Sequence, residues 1–259
     1  MNDRIVGLHD WFATPPGRYL LAWEREQLDL AVADIFGYHA LQLGISELDA
    51  LRCNRMPHRW LATPVYSPGA AIVTDFEALP FPANSLDLVL LPHSLELSRD
   101  PHATLREVER VLVPEGRVVI CGLNPMSLWG LRQKHGRLYR RLGLGKPFMP
   151  QEECIGFRRL RDWLRLLSFE VESERFGCYR PAIANEQWLR SFAWMDRAGA
   201  RWWSIFGAVY FLVAVKRVRG VTLLSPSWKA ARGLVAAPAS IAGRETLTGM
   251  KDANMRNLD

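Results

Sequence analysis

Cysteine is scarce in this chain: four in 259 residues, at positions 53, 121, 154 and 178. No two of them form a C-x-x-C pair, which argues against a disulfide-stapled scaffold and suits a reducing compartment. Cys53 and His58 lie close in sequence, but zinc requires three or four ligands and no companion cluster follows. Long apolar runs are missing too. The longest, Trp202–Val215, is too short to cross a bilayer and is interrupted by Ser204 and Gly207. The opening MNDRIVGLHDWF has no apolar core of a secretion signal, and no fixed-period repeat occurs. A hydrophobic content of 49% is that of a globular protein, and the length suffices for one full core. A cytoplasmic location is therefore expected.

The net charge of +6 is unevenly placed. From Lys216 to the end there are eight Lys/Arg against three Asp/Glu, so the first 215 residues carry only about +1. Within them, Arg132–Arg165 holds ten Lys/Arg and three acids. A domain that is not basic as a whole makes a broad nucleic-acid face unexpected, and Tyr139 and Phe148 are too sparse for an aromatic-interleaved groove. The basic segment reads as a solvated face, or as an attractor for an anionic acceptor, a phospholipid surface or RNA.

Most of the organisation lies in Ala71–Arg132. Ala71–Thr74 reads as a short strand ending at Asp75. Leu86–Leu91 reads as a second strand behind the turn residues 82–85. Pro101–Val113 has helical spacing, with Leu105, Val108, Val111 and Leu112 on one face and Arg106, Glu107, Glu109 and Arg110 on the other. Pro114-Glu-Gly116 is expected to stop it before a strand at Arg117–Cys121. Such alternation predicts parallel strands joined by crossover helices. Upstream, residues 9–36 read as a helix after a short loop, started by Thr14-Pro-Pro-Gly17, and Tyr38–Leu43 and Arg59–Ala62 as strands. Downstream, Phe157–Leu167 and Asn185–Ala198 read as helices, Phe169–Glu174 and Ala208–Lys216 as strands. Trp194, Trp202 and Trp203 are expected in the core or over an apolar acceptor. From residue 220 the composition shifts to that of a flexible basic tail.

The run D-x-x-x-L-P-F-x-x-x-S-x-D-x-V from Asp75, then Leu95-Glu96, Asp100-Pro101, L-R-E-x-x-R-V-L from Leu105 and P-x-G from Pro114, resembles class I S-adenosylmethionine (SAM)-dependent methyltransferases of the small-molecule type. Gly37-Tyr-His39 and Asn124–Arg132 resemble a proteobacterial branch of that family. The resemblance implies a Rossmann-like α/β fold: seven mostly parallel strands, an antiparallel last strand and helices on both faces. It divides the chain into an N-terminal helical cap (1–36), a methyltransferase-like domain (37–219) with the basic insert 132–165 near the acceptor site, and the tail (220–259). The cap could form a lid, with Trp11 and Tyr19 lining the pocket.

It also implies SAM as cofactor, with Gln42, Gly44, Ser46, Asp75, Phe76 and Pro92 at its site. Asp75 would meet the adenine amino group, and Phe76 would present its backbone N–H to the ring. Where the family has an acid and three glycines, this chain has Gln42, Gly44, Ser46 and Leu48. The acid that grips the ribose after the second strand has no counterpart. Pro92-His93 ends the fourth strand, where ligands of open α/β sheets bind. His93 is the catalytic candidate, either as a general base near neutrality or as a hydrogen-bonding, positioning group. Asn124 is expected beside the acceptor, and Asp87 to cap the strand entrance. The implied activity is methyl transfer to a small acceptor, anionic or amphipathic. Methyl transfer needs alignment and water exclusion more than side-chain chemistry, so the missing catalytic triad does not oppose it. The degenerate glycine motif leaves a second reading open: a binding protein on a methyltransferase scaffold without turnover.

Overall fold

The computed structural model describes residues 2–141, 148 and 154–217, and its order begins at the N-terminus with two helices where one was expected. α1 spans Asn2–Phe12, in place of the expected loop, and α2 spans Pro15–Ala33. Thr14 separates them: its Oγ1 accepts from Gly17 N–H, and Pro15 and Pro16 occupy first-turn positions that need no donor. Gly17 is required for the tight packing, since a Cβ there would lie 2.2 Å from Trp11 O.

Next come strands β1 His39–Leu43, β2 His58–Thr63, β3 Ile72–Val73 and β4 Leu86–Pro92. A single-turn helix α3 (Ser94–Leu97) and helix α4 (Pro101–Val111) lead into strand β5 (Leu112–Leu123). Asp100 caps α4 by accepting from His102 N–H at 2.9 Å and Ala103 N–H at 3.1 Å. The expected stop at Pro114-Glu-Gly116 is absorbed into β5. Pairing with β4 jumps from Leu86↔Leu112 to Leu88↔Arg117, and the looped-out residues include Glu115 at φ 65°. The chain continues through α5 (Leu128–Arg141), α6 (Phe157–Leu166), β6 (Phe169–Gly177), α7 (Glu186–Ser191), α8 (Trp194–Trp202) and β7 (Val209–Lys216). The single helix expected over Asn185–Ala198 is thus two, broken at Phe192-Ala193.

All seven strands join one sheet in the order β3-β2-β1-β4-β5-β7-β6. β1 to β5 are parallel, and β7 runs antiparallel to both β5 and β6. Helices cover the central strands on both faces, so Leu41, Leu88, Leu90, Val118 and Ile120 are sealed from water. Each such side chain contributes about 1.5–3 kcal/mol by burial. Strand order reverses between β1 and β4, which places the ligand-binding crevice at their carboxyl ends.

Two side chains fix the opposite end of the sheet. Asp87 Oδ2 accepts from Tyr38 N–H at 2.8 Å and His39 N–H at 2.9 Å, as a cap of the strand entrance should. Lys216, buried at the end of β7, donates to Glu109 O, Leu112 O and Asn84 Oδ1. Residues 1–219 form one compact unit, and the tail expected from residue 220 lies outside the described residues.

Candidate cofactor site

The loop leaving β1 is built around Gly44, at φ +106°, where L side chains are strained. A Cβ there would lie 2.8 Å from Ser94 Oγ and 3.2 Å from Pro92 O. Glycine therefore lets the β1 loop close against the end of β4. Ser94 completes the junction by donating to Leu43 O at 2.6 Å. Pro92 itself is buried at the end of β4.

A cavity of about 610 Å³ opens beside this junction, within the size range of small-molecule sites. It is lined by Gly44, Ile45, Ser46 and Glu47 of the β1 loop, by Thr63–Pro68 after β2, and by His9 and Leu97. Ser46 accepts from Ser67 Oγ at 2.9 Å, which ties the two walls together. Leu48, at the third glycine position, turns into the core, so its bulk stays out of the cavity. The carboxylate in the lining is Glu47, which pairs with His9.

Gln42 does not reach the cavity. Its amide nitrogen donates to Ile45 O at 2.8 Å and Leu48 O at 2.6 Å, and its Oε1 accepts from Ala50 N–H at 3.0 Å. The side chain thereby shapes the loop from inside, a task that needs donors and acceptors together and suits an amide. Asp75 is exposed and Phe76 is buried; neither lines the cavity. The Phe76 backbone N–H makes no hydrogen bond among the described residues.

The loop that follows is clamped by residues of α4. Glu107 accepts from Leu79 N–H at 3.0 Å, and Arg110 donates to Phe81 O at 2.9 Å and Leu79 O at 3.1 Å. Arg110 and Glu107 also pair directly at 2.8 Å. The L-P-F run and the L-R-E-x-x-R run are thus two halves of one clamp. Their helical spacing placed Glu107 and Arg110 only on the face opposite the apolar one, because spacing cannot reveal a loop folding back onto it.

His93 sits at φ 54° at the end of β4 with no exposed side-chain surface. Its Nδ1 meets Glu96 Oε2 at 2.7 Å, and its Nε2 lies 2.9 Å from Glu24 Oε1. The first contact has hydrogen-bond geometry. The second lies at ion-pair distance but off the hydrogen-bond axis. Burial pushes the imidazole down, and the carboxylates of Glu24 and Glu96 outweigh it, raising it to about 10. With Nδ1 bonded to Glu96 and the ring held as an imidazolium between two carboxylates, His93 has no basic site to offer near neutrality. Glu96 Oε1 accepts from Leu123 N–H at 2.6 Å, so one buried charge cluster joins α2, β4, α3 and β5. Glu24 was not legible as a partner, since 69 positions of chain separate it from His93.

Asn124 is also committed internally. It donates to Ile205 O at 2.7 Å and Gly207 O at 2.9 Å and accepts from Met126 N–H. Trp11 donates to Phe148 O at 2.9 Å and packs edge-on against Trp129, while Tyr19 bonds Asp196. These aromatics form a packed wall between the helical cap and the sheet. Of the two readings of Trp194, Trp202 and Trp203, core or cover of an acceptor, the core reading is corrected: all three are exposed, Trp202 to 76%.

A seven-stranded sheet with an antiparallel β7, a positive-φ glycine after β1 and a cavity at the carboxyl ends of β1 and β2 define the class I methyltransferase fold. The Methyltransferase domain family matches residues 53–120. An uncharacterised protein of Escherichia coli, YafS, is 35% identical over 170 residues, covering 64% of this chain and 67% of that protein. The malonyl-[acyl-carrier protein] O-methyltransferase of Halorhodospira halophila is 35% identical over 94 residues, or 36% of this chain and 29% of that enzyme. A SAM-dependent methyltransferase structure from Thermotoga maritima superposes with a TM-score of 0.52 at 14% identity, covering 81% of this chain and 94% of that one. The chain belongs to the SAM-dependent methyltransferase family, whose cofactor is SAM. It spans about two thirds of the Escherichia coli relative and under a third of the acyl-carrier-protein methyltransferase.

The residues present fit that cofactor. Gly44 lets the β1 loop turn tightly against Pro92 and Ser94 beside the cavity, and the Phe76 N–H, unbonded among the described residues, stands at the adenine position of the family pattern. The β2 end presents Thr63, Pro64 and Val65 in place of an acid, and the Thr63 hydroxyl donates to Val65 O.

Proposed function

We propose that this protein is a SAM-dependent methyltransferase acting on a small acceptor, anionic or amphipathic in character. The observation that carries the reading is the Gly44 junction: a positive-φ glycine, closed against Pro92 and Ser94, at the mouth of a 610 Å³ cavity at the switch point of the sheet. Bound there, SAM supplies a methyl group on a positively charged sulfur. The β1 loop of Gly44 and Ser46 and the wall Thr63–Tyr66 would hold it; Asp75 and the Phe76 N–H, outside that lining, are assigned to the adenine by the family pattern alone. His93 would position rather than react: as an imidazolium between Glu24 and Glu96 it fixes the end of β4 and the start of α3. The apolar wall of Trp11, Phe12 and Trp129 would exclude water.

Gln42 favours the competing reading, a scaffold without turnover, because its amide is fully spent on the loop and the family's acid is gone. Calorimetric titration with SAM separates the outcomes. Binding is expected, with a loss of about 100-fold in Gly44→Val from the clash with Ser94 and a smaller loss in Asp75→Ala. A native protein that shows neither heat nor thermal stabilisation at millimolar SAM sinks the proposal, since a bound ligand must stabilise the native state. If SAM binds but S-adenosylhomocysteine is never released in the presence of cell extract, the scaffold reading replaces it.

A further inference from the structure

The carboxyl end of β5 leads directly into an apolar groove of about 480 Å³, lined by Met126, Leu131, Lys134, Met195, Trp203 and Phe206. Residues 203–207 enter β7, which pairs Val209 with Leu123 of β5. The groove therefore lies at the same end of the sheet as the Gly44 cavity. Around it the surface is unusually apolar for an exposed one. Met126 is 63% exposed, Trp202 76% and Ile205 53%, with Trp194, Leu128 and Phe206 also open. A contiguous exposed apolar surface of this kind marks an interaction site.

Its charge states what it interacts with. α5 carries Arg132 and Lys134, both exposed, and no Asp or Glu occurs anywhere in its sequence. α8 adds exposed Arg197 and Arg201, while its Asp196 is neutralised by Arg180 at 2.9 Å. Exposed tryptophans beside arginine and lysine, on two short amphipathic helices, combine the two features that bind an anionic bilayer: apolar side chains that enter the acyl boundary and cations that meet the headgroups. Met126, Trp202 and Ile205 supply the first; Arg132, Lys134, Arg197 and Arg201 the second.

We propose that α5, α8 and the Ser204–Phe206 turn form an interfacial surface that docks this protein on anionic membranes, with its ligand-binding edge toward the bilayer. The surface does not depend on the cofactor, so it is testable even if SAM fails to bind.

The test is sedimentation of the full chain with vesicles of pure phosphatidylcholine and of phosphatidylcholine containing one third phosphatidylglycerol. Binding to the anionic vesicles is expected, with a blue shift of tryptophan fluorescence and weakening at high salt. Arg132→Glu with Lys134→Glu should weaken it by roughly 30-fold or more. Trp202→Ser with Ile205→Ser should weaken vesicle binding and reduce the blue shift while leaving SAM binding and circular dichroism unchanged, because both side chains are exposed. No binding to anionic vesicles at low salt overturns the proposal. So does binding unaffected by Trp202→Ser with Ile205→Ser, which leaves only diffuse charge attraction. A monomer–dimer equilibrium in sedimentation velocity that Trp202→Ser eliminates, without vesicle binding, assigns the face to a second copy instead.

Discussion

Replacing His93 with glutamine removes the cation that, among the described residues, lies between two buried carboxylates. Glutamine keeps nearly the reach of the ring and carries the same strain at φ 54°, so the change isolates the charge. Glu24 and Glu96 would then face each other with no counter-charge and almost no exposed surface. Stranding a buried charge in this way costs about 3–5 kcal/mol, a shift of roughly 6–20 °C in Tm for a domain of this size. The pH dependence is specific in sign. The folded-state imidazole is raised from 6.5 to about 10, so its contribution is complete below pH 6.5 and drains away as pH rises toward 10. The native protein should lose stability over that window, and His93→Gln should lack that component. Adding Glu24→Gln to His93→Gln removes one stranded carboxylate, so the double variant should be more stable than His93→Gln alone. The two changes should be non-additive by roughly 0.5–3 kcal/mol. Urea unfolding between pH 6 and 9.5, followed by tryptophan fluorescence and circular dichroism, reads all of this. If His93→Gln stays within about 1 kcal/mol of the native protein at pH 7 and keeps its alkaline slope, or if the two costs simply add, the charge-cluster account is wrong.

Three further outcomes follow from the same kind of accounting. Lys216→Met should cost about 2–4 kcal/mol in urea unfolding, because Glu109 O and Leu112 O lose their donor at the base of β7; a loss below about 1 kcal/mol would contradict the burial argument. Arg110 holds the Glu107 carboxyl below its ordinary 4.5, against the opposing effect of burial. The stability this adds is present above pH 4.5 and lost as the pH falls through the folded-state value. Acid should therefore lower the protection factor of the Leu79 amide relative to its intrinsic exchange rate, and Glu107→Gln should show that lower protection already at pH 7. Asn124→Ala frees the Ile205 and Gly207 carbonyls at a cost of about 2 kcal/mol, which limited proteolysis should register as new cleavage near Ser204–Gly207.

The sheet was legible because its strands are apolar runs separated by turn residues and a capped helix, all local signals. Where local signals misled, tertiary pairing had overruled them. Pro114-Glu-Gly116 reads as a stop, yet β4 recruits Leu112 before the loop and Arg117 after it, and the turn becomes a bulge within one strand. The loop expected before Thr14 is helical because Leu8, Trp11 and Phe12 bury one face, while the polar residues between them hid that face. The break at Phe192-Ala193 leaves Trp194 and Trp202 on a separate short helix, exposed where helical spacing alone suggested core.

The site was legible in position and much less so in role. Gly44 could be placed because only a missing Cβ explains its conformation. Gln42, His93 and Asn124 stand where the family pattern suggests ligand contacts, yet each spends its polar atoms inside the protein. What they have in common is that they hold the carboxyl ends of the strands: Gln42 the β1 loop, His93 the β4–α3 corner, Asn124 the junction of β5 with the start of β7. A polar residue at a strand end can meet a ligand or buttress the backbone that does, and the sequence is the same in both cases. The difference lies in which partner comes within 3 Å: Glu24 and Ile205 come from distant parts of the chain, and Ile45 is reached only because the β1 loop folds back over Gln42. In this protein the ligand-facing edge is therefore drawn chiefly by backbone, and a substitution at these three positions should first be read as a change in the frame.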